Sequence, residues 1–462
     1  MNLNWLLVHF LPSLGFILAL VLLAHILRER RSPTSTIAWL MAIILIPYIG
    51  VPVYLMFGGR KMIRKAREKS NLSFDAKKPV YDFDGINPFF MKPDNGVLPL
   101  SGGNRVTFLT DGKQAFNNIL DVINSARQSI YIATFILGRD NTGRAILKAL
   151  AHKASQGVKV CLLLDDLGSV RISRKFLSPL IEAGGRAAFF MPMIHIPFRG
   201  RANLRNHRKM IICDDTTAII GGMNLALEYM GPQDAPDRWQ DLSLTVKGPA
   251  VSYFKEIFRE DWKFAAREEI EKSLAPRYDI KPDSTGLVQV VASGPDIIGD
   301  SLRDAIVTAI FRANHRIWVV TPYFVPDELL LEALCMAGNR SVEVSIITPE
   351  KSNHRIADLV RGGYLSRIQE SGANILFYKP RMLHAKAILF DDSLAIVGSS
   401  NMDMRSLLLN YEIAMCIFDE NDIKQIESWM LWLKTDCRER GFDPKGRLGV
   451  FESIGRLFAP LL

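Results

Sequence analysis

The chain has 462 residues, 48% of them apolar and 23% charged, enough for two or three domains and without the low-complexity tracts of a disordered protein. Lys and Arg number 57 against 48 Asp and Glu, a formal net charge of +9 that suits an anionic partner but does not choose between lipid headgroups and nucleic acid. Five scattered cysteines (Cys161, Cys213, Cys335, Cys416 and Cys437) with no Cys-x-x-Cys pair argue against a disulfide framework or a thiolate metal site, and read as free thiols in a reducing compartment.

Residues 3–27 contain no Asp, Glu, Lys or Arg, long enough for one crossing of a bilayer core, which takes about 20 apolar residues. The run is too long for a signal peptide, and its basic residues follow it. Residues 34–57 are a second apolar stretch interrupted by Pro47, Gly50 and Pro52, read as a kinked second crossing, with a partly inserted segment as the alternative. A basic cluster follows: Arg60, Lys61, Arg64, Lys65, Arg67 and Lys69. It either rests on anionic headgroups or is a solvated linker, and it favours a cytoplasmic main domain.

From about residue 105 the chain repeats itself, and an internal repeat decides architecture before any other feature. Short apolar, β-rich runs fall at 130–135, 158–164 and 187–190, and again at 317–323, 342–347 and 374–378. Helical patterns separate them, as at 142–156 and 300–313, and each copy ends in an amphipathic helix, 252–266 and 423–436. Strands alternating with helices predict an α/β fold in two tandem units. The layout is 1–60 as a membrane anchor with two spans, 61–104 as a basic linker and 105–268 as the first repeat. A linker at 269–287, the second repeat at 288–440 and an amphipathic tail at 441–462 complete it.

Both copies carry His-x-Lys-x4-Asp: His207, Lys209 and Asp214 in the first, His384, Lys386 and Asp391 in the second. A Gly follows each His by 14 residues and an Asn (Asn224, Asn401) by 17. On a strand, His and Lys two apart share a face. If the copies pack about a pseudo-twofold axis, two imidazoles and two ammonium groups converge on one anion, and a phosphodiester is the natural occupant. One His attacks phosphorus to give a phosphohistidine, and the other protonates the leaving alcohol and later deprotonates the incoming one. The lysines stabilise charge on the non-bridging oxygens, Asn224 and Asn401 add neutral donors, and Asp214 and Asp391 orient or support the basic residues. A zinc site is disfavoured because a Lys two residues from each His repels the cation. His195, His315 and His354 lack a doubled partner and read as structural or loop residues.

The doubled motif with its Gly and Asn resembles the phospholipase D superfamily, and residues 205–224, 321–327 and 383–412 resemble bacterial cardiolipin synthases, as does the apolar hairpin around 46–54. The likeness spans nearly the whole chain. It implies tandem phospholipase D-like repeats behind a transmembrane hairpin, at the bacterial inner membrane. The implied reaction takes two phosphatidylglycerols to cardiolipin and glycerol, with no metal or nucleotide cofactor and no nucleic-acid partner. It also implies that His207 is the nucleophile and His384 the acid/base, and that Glu412 and Asp241 are the acids that orient the histidines. A phospholipase D hydrolase, another acceptor alcohol, a nuclease and a non-catalytic lipid-binding scaffold are the competing readings. Two further segments carry paired alternatives: 191–206 is a lipid entrance or an ordinary basic loop, and 445–462 is a membrane-surface helix or packs on the main domain.

Overall fold

The computed structural model describes residues 20–27, 33–48, 50–51, 54, 89, 91, 93, 96–191, 204–272, 285–297 and 299–441. The chain divides into two compact units, Met1–Met62 with Pro192–Asn203, and Ile63–Met191 with Leu204–Leu462.

In the first unit Pro33 opens helix α1 (Pro33–Leu45), where a missing N–H costs nothing. Leu22 and Ile26 pack with Ile43, Val51 and Tyr54, and Trp39 meets Tyr54 edge-on at 5.2 Å. The opposite surface is apolar and exposed: Leu20, Val21, Leu27, Ile37, Met41, Ile44, Leu45, Ile46 and Tyr48. Among the described residues no helix is long and apolar enough to cross a membrane. The 13 residues of α1 span about 20 Å against a hydrocarbon core of about 30 Å. Most of the first expected span, the basic cluster, the 192–203 segment and the 442–462 tail lie outside the described residues.

The second unit holds the repeats. The first runs β1 (Arg105–Leu109), α2 (Gly112–Ser125), β2 (Ser129–Thr134), α3 (Asn141–Ser155), β3 (Lys159–Asp165), α4 (Arg174–Glu182), β4 (Arg186–Phe190), β5 (Met210–Cys213), β6 (Thr217–Gly221), β7 (Ser243–Lys247) and α5 (Val251–Ala266). The second runs β8 (Val288–Ser293), α6 (Ser301–Arg312), β9 (Arg316–Val320), β10 (Phe324–Val325), α7 (Glu328–Asn339), β11 (Glu343–Pro349), α8 (Arg355–Glu370), β12 (Asn374–Tyr378), β13 (Ala387–Phe390), β14 (Leu394–Gly398), β15 (Met402–Asp403), α9 (Met404–Leu408), β16 (Glu412–Ile417), α10 (Glu420–Thr435) and β17 (Cys437–Glu439).

The two sheets share one topology. The first has the order β1-β7-β6-β5-β2-β3-β4, and the second, from its other edge, β8-β16-β14-β13-β9-β11-β12-β17. In each, three strands run parallel (β2, β3, β4; β9, β11, β12) and a β-meander is joined to them antiparallel. Strands β2, β3, β5 and β6 are buried along almost their whole length, which is why they read as continuous apolar runs and not as alternation. Side-chain caps start the helices: Asp111 accepts from the amides of Lys113 and Gln114, Asp140 from Gly143, Asp327 from Leu330 and Asp403 from Ser406. The end of the expected basic linker is ordered: Leu98 and Ser101 donate their amides to Val290 and Val288, extending the second sheet past β8. All five cysteines are free, and four of them are buried.

Candidate active site

Each His-x-Lys pair lies in the extended lead-in to its strand, not within it: β5 begins at Met210 and β13 at Ala387. The Lys209 ammonium folds back to donate to the His207 carbonyl at 2.7 Å, and Lys386 donates to the His384 carbonyl in the same way. Lys386 also lies against the His384 ring, 2.7 Å from Nδ1.

The two lead-ins are fastened to the opposite repeat. The His207 amide donates to the Tyr411 carbonyl at 2.9 Å, and the Tyr411 amide to the Arg205 carbonyl at 2.9 Å. The matching clasp runs from the His384 amide to the Gln240 carbonyl at 2.7 Å and from the Gln240 amide to the Met382 carbonyl at 2.8 Å. Tyr411 and Gln240 immediately precede Glu412 and Asp241, so each acid is delivered beside the other repeat's histidine. His207 Nδ1 donates to Glu412, 2.9 Å from Oε1 and 3.1 Å from Oε2, and His384 Nδ1 donates to Asp241 Oδ2 at 2.7 Å. A carboxylate only accepts, so the proton sits on Nδ1, and Nε2 of each ring carries the lone pair. Glu412 also accepts from the Ser399 hydroxyl and, at 3.4 Å, from Asn410 Nδ2.

The glycine positions of the motif make room for these acids. A Cβ on Gly222 would stand 2.2 Å from Asp241 Oδ1. The equivalent Ser399 fits because its hydroxyl is turned onto Glu412.

His207 and His384 line one cavity of about 350 Å³, together with Asn224, Asn401, Tyr229, Tyr323, Arg205 and Arg405. Phe135 meets the His207 ring edge-on at 5.0 Å; Tyr229 and Trp239 pack on His384 at 5.1 and 5.4 Å. Asn224 Oδ1 accepts from the Ile136 amide, which fixes that side chain in the wall. Asn401 Oδ1 is buried with no hydrogen-bond partner among the described residues.

Burial, opposed by Glu412 and reinforced by Lys209, pulls His207 down to about 4. Burial with the Lys386 charge pulls His384 down to about 3. Burial likewise brings Lys209 to about 7 and Lys386 to about 8, against the pull of Glu412 and Asp241. Asp241 is lowered: burial raises it, but Lys386 and His384 together outweigh that. Burial is the largest cause of every one of these downward shifts, and an anion bound among the four groups would favour their charged forms.

Asp214 and Asp391 do not support the basic pairs. Each sits in the hairpin turn beyond its strand, at φ of 52° and 49°, a left-handed conformation that Asp tolerates. The Asp214 carboxylate accepts from the amides of Arg127, Gln128 and Ser129 (2.7, 2.7 and 2.9 Å), and Asp391 from those of Asn314, His315 and Arg316 (3.0, 2.8 and 2.9 Å). Each staples its turn to the entry of β2 or β9. The x4 spacing is the length of the strand between site and turn, so the expected catalytic role gives way to a structural one.

Sequence reading missed Arg208, fully buried, whose guanidinium pairs with Asp261 at 2.7 Å and donates to the carbonyls of Glu412 and Ser293, tying the His207 lead-in to three elements. His354 lines the cavity beside Tyr323, and His315 uses its amide to bind Asp391.

A family model described as "Cardiolipin synthase, PLD-like domain" matches residues 119–262 and 306–434, and one described as "Phospholipase_D-nuclease N-terminal" matches 17–59. "Cardiolipin synthase 1" of Bacillus anthracis is 33% identical, the alignment covering 94% of this chain and 90% of that protein. "Major cardiolipin synthase ClsA" of Bacillus subtilis is 31% identical over 98% of this chain and 99% of that one. Among solved structures, phosphatidylserine synthase of Haemophilus influenzae superposes with a TM-score of 0.59 at 15% identity, covering 80% of this chain and 96% of that one, a likeness of fold.

Proposed function

The chain belongs to the cardiolipin synthase family of phospholipase D-like proteins, and from that membership we propose the reaction and the residues that carry it. The protein is a phosphatidyltransferase that joins two phosphatidylglycerols into cardiolipin and releases glycerol. The observation that carries this reading is the crossed pair of acid–histidine hydrogen bonds on one cavity, with a lysine behind each histidine.

In the first half-reaction His207 Nε2 attacks phosphorus of one phosphatidylglycerol, and the bond from phosphorus to the headgroup oxygen breaks. His384, protonated, gives its proton to that oxygen, and glycerol leaves. Burial keeps His207 neutral, so its Nε2 lone pair is available at neutral pH. His384 needs the substrate's negative charge beside it to hold a proton, which couples the acid to occupancy of the site. In the second half-reaction a hydroxyl of another phosphatidylglycerol attacks the phosphohistidine, its proton passes to His384, and the P–N bond breaks, freeing His207. Lys209 and Lys386 neutralise the non-bridging oxygens, Asn224 and Asn401 offer amide donors, and Glu412 and Asp241 stabilise the imidazolium forms.

The two repeats are related by a pseudo-twofold axis through this site. The domain layout is that read from the sequence, with residues 1–60 as a two-span membrane anchor and the site on the cytoplasmic side of the bacterial inner membrane. The exposed apolar surface of residues 20–48 supports a lipid-facing first unit. The test is product analysis with full-length protein in detergent and labelled phosphatidylglycerol alone. Cardiolipin and glycerol in equal amounts are expected; phosphatidic acid as the main product would make the protein a hydrolase instead.

A further inference from the structure

The cavity is built on the carboxyl ends of parallel strands from both sheets. Phe135 and Ile136 follow β2, Leu167 follows β3, Tyr323 follows β9, and Asn353 and His354 follow β11. Strands β3 and β11 are the middle members of the two parallel triplets, and the segment after each carries large apolar side chains outward. In the first, Leu167 and Val170 are exposed, Val170 by 66%; in the second, Ile356 and Leu359 are, Ile356 by 54%. Leu167 is part of the cavity wall, and so is Ala357, next to Ile356. Each outermost side chain has an exposed cation beside it in sequence, Arg171 after Val170 and Arg355 before Ile356, and Lys351 is exposed on the second segment as well. Among the described residues of 166–173 and 350–359, the exposed acid is Glu350.

Both segments are pinned from behind, which holds these side chains outward. Ser169 Oγ donates to the Phe135 carbonyl at 3.0 Å and accepts from the Leu137 amide at 3.1 Å, while Asp165 Oδ1 accepts from the amides of Leu167 and Gly168 at 3.0 Å each. Gly168 lies so close to the wall that a Cβ there would stand 2.2 Å from the Phe135 carbonyl oxygen. In the second segment the Ser352 amide donates to Asp358 Oδ2 at 2.9 Å, the His354 amide to Ser352 Oγ at 3.0 Å, and the Tyr323 hydroxyl to Asn353 Oδ1 at 2.5 Å. Helix α8 buries Ala357 and Val360, which turns Ile356 and Leu359 to the outside. Single exposed apolar side chains are ordinary, as with Phe311 on α6, Leu329 on α7 and Trp432 on α10, none of which lines the cavity. Here they recur in matched places of two repeats at the mouth of one site.

The proposed substrate supplies a use for such a mouth. Its phosphorus must reach His207 Nε2 while its acyl chains stay out of water, because every exposed CH2 has a cost. An apolar rim with cations beside it matches the boundary between acyl chains and anionic headgroups. We propose that the mouth is a membrane-docking surface of the second unit. Leu167, Val170, Ile356 and Leu359 enter the headgroup layer of an anionic bilayer, Arg171, Lys351 and Arg355 rest on its phosphates, and lipid passes from bilayer to cavity without crossing water. The surface is distinct from the apolar residues of the first unit, and the proposal rests on the lipid substrate of the functional reading.

The experiment places an environment-sensitive fluorophore on Val170→Cys or Ile356→Cys, with Phe311→Cys as the comparison, in full-length protein reconstituted into vesicles of phosphatidylcholine and phosphatidylglycerol. Wild-type protein taken through the same labelling gives the background from its own thiols, four of which are buried. Emission from positions 170 and 356 should shift to the blue and be quenched by lipids carrying a nitroxide high on the acyl chain, and emission from 311 should do neither. Vesicles of phosphatidylcholine alone should weaken the quenching; equal quenching in both overturns the role given to the cations. Labels at 170 and 356 quenched no more than at 311 overturn the docking. So does a blue shift without lipid quenching that grows with protein density, which means that a second copy covers the mouth. The double variant Val170→Asp/Ile356→Asp should lose roughly tenfold or more of its rate on vesicles and stay within about twofold of wild type on short-chain phosphatidylglycerol dissolved as monomers. Equal loss on both substrates, or none on vesicles, also counts as refutation. Quenching needs no turnover, so a protein that docks but makes no cardiolipin overturns the functional reading and leaves the docking standing.

Discussion

Glu412→Gln removes one charge from the site and little else. The side chain is fully buried and equal in shape to its replacement, and the amide oxygen can still accept from His207 Nδ1 while Ser399 rotates to accept from the new NH2. What disappears is the charge that stabilises positive charge on His207 as its Nε2 bonds to phosphorus. A hydrogen bond to a charged partner is worth about 1.5–3 kcal/mol. Two charges about 4 Å apart interact by about 4 kcal/mol at an effective dielectric of about 20, an upper bound here. Taken together they place the loss at about 2–4 kcal/mol of transition-state stabilisation, or roughly 30- to 1,000-fold in kcat at about 1.4 kcal/mol per tenfold. The assay is the initial rate of cardiolipin formation over a range of phosphatidylglycerol concentrations, beside far-ultraviolet circular dichroism of the same sample. A folded variant within threefold of wild type, or one altered only in KM, would show that Glu412 does not act through His207.

The rate should depend on pH as a bell. Neutral His207, available above about 4, sets the acid limb of kcat, and loss of the protons that the anion-bound site needs on His384, Lys209 and Lys386 sets the alkaline limb, the lysines standing at about 7 and about 8 before the anion binds. The sign for stability follows separately. The folded-state values of both histidines lie below their unfolded values, so the unfolded chain binds more protons as pH falls through the histidine's ordinary range. Stability is lost there, and chemical denaturation at stepped pH reads it. Asp391→Ala should cost about 2–4 kcal/mol in denaturant unfolding, by leaving three backbone amides without their acceptor and an Ala in a left-handed turn, while kcat per folded molecule holds. Gly222→Val should lower kcat at least tenfold with a smaller effect on melting, because a Cβ there stands 2.2 Å from Asp241 Oδ1 and a branched apolar side chain, unlike the Ser399 hydroxyl, has no hydrogen bond to give the acid.

Much of this was legible because the repeat doubles every signal. The strand at 130–135 is buried on both faces and so reads as an apolar run, and β2 is found there; β12, at 374–378, has Asn374 exposed and is found from its apolar residues 375–378. The matched His and Lys pointed to a shared anion site because few structural roles require the same pair twice. The role of Asp214 was not legible, because a motif residue looks the same whether it touches the substrate or staples a turn; only its bonds to three backbone amides separate the two. The crossing of the acids was hidden for a related reason. Asp241 lies 34 residues after His207 and Glu412 lies 28 after His384, and spacing along one repeat says nothing of a hydrogen bond to the other. Arg208 and the aromatic residues against the histidines carry no periodic signal. They matter through tertiary contact alone.

Mapping the covalent intermediate is the decisive measurement. His384→Ala protein, mixed with phosphatidylglycerol labelled at phosphorus, quenched in alkali and digested, should yield one labelled peptide, with the phosphatidyl group on His207. Label on another residue, or turnover of wild-type protein with no phosphoprotein in the quenched samples, would contradict a transfer in which His207 attacks phosphorus and His384 moves the proton.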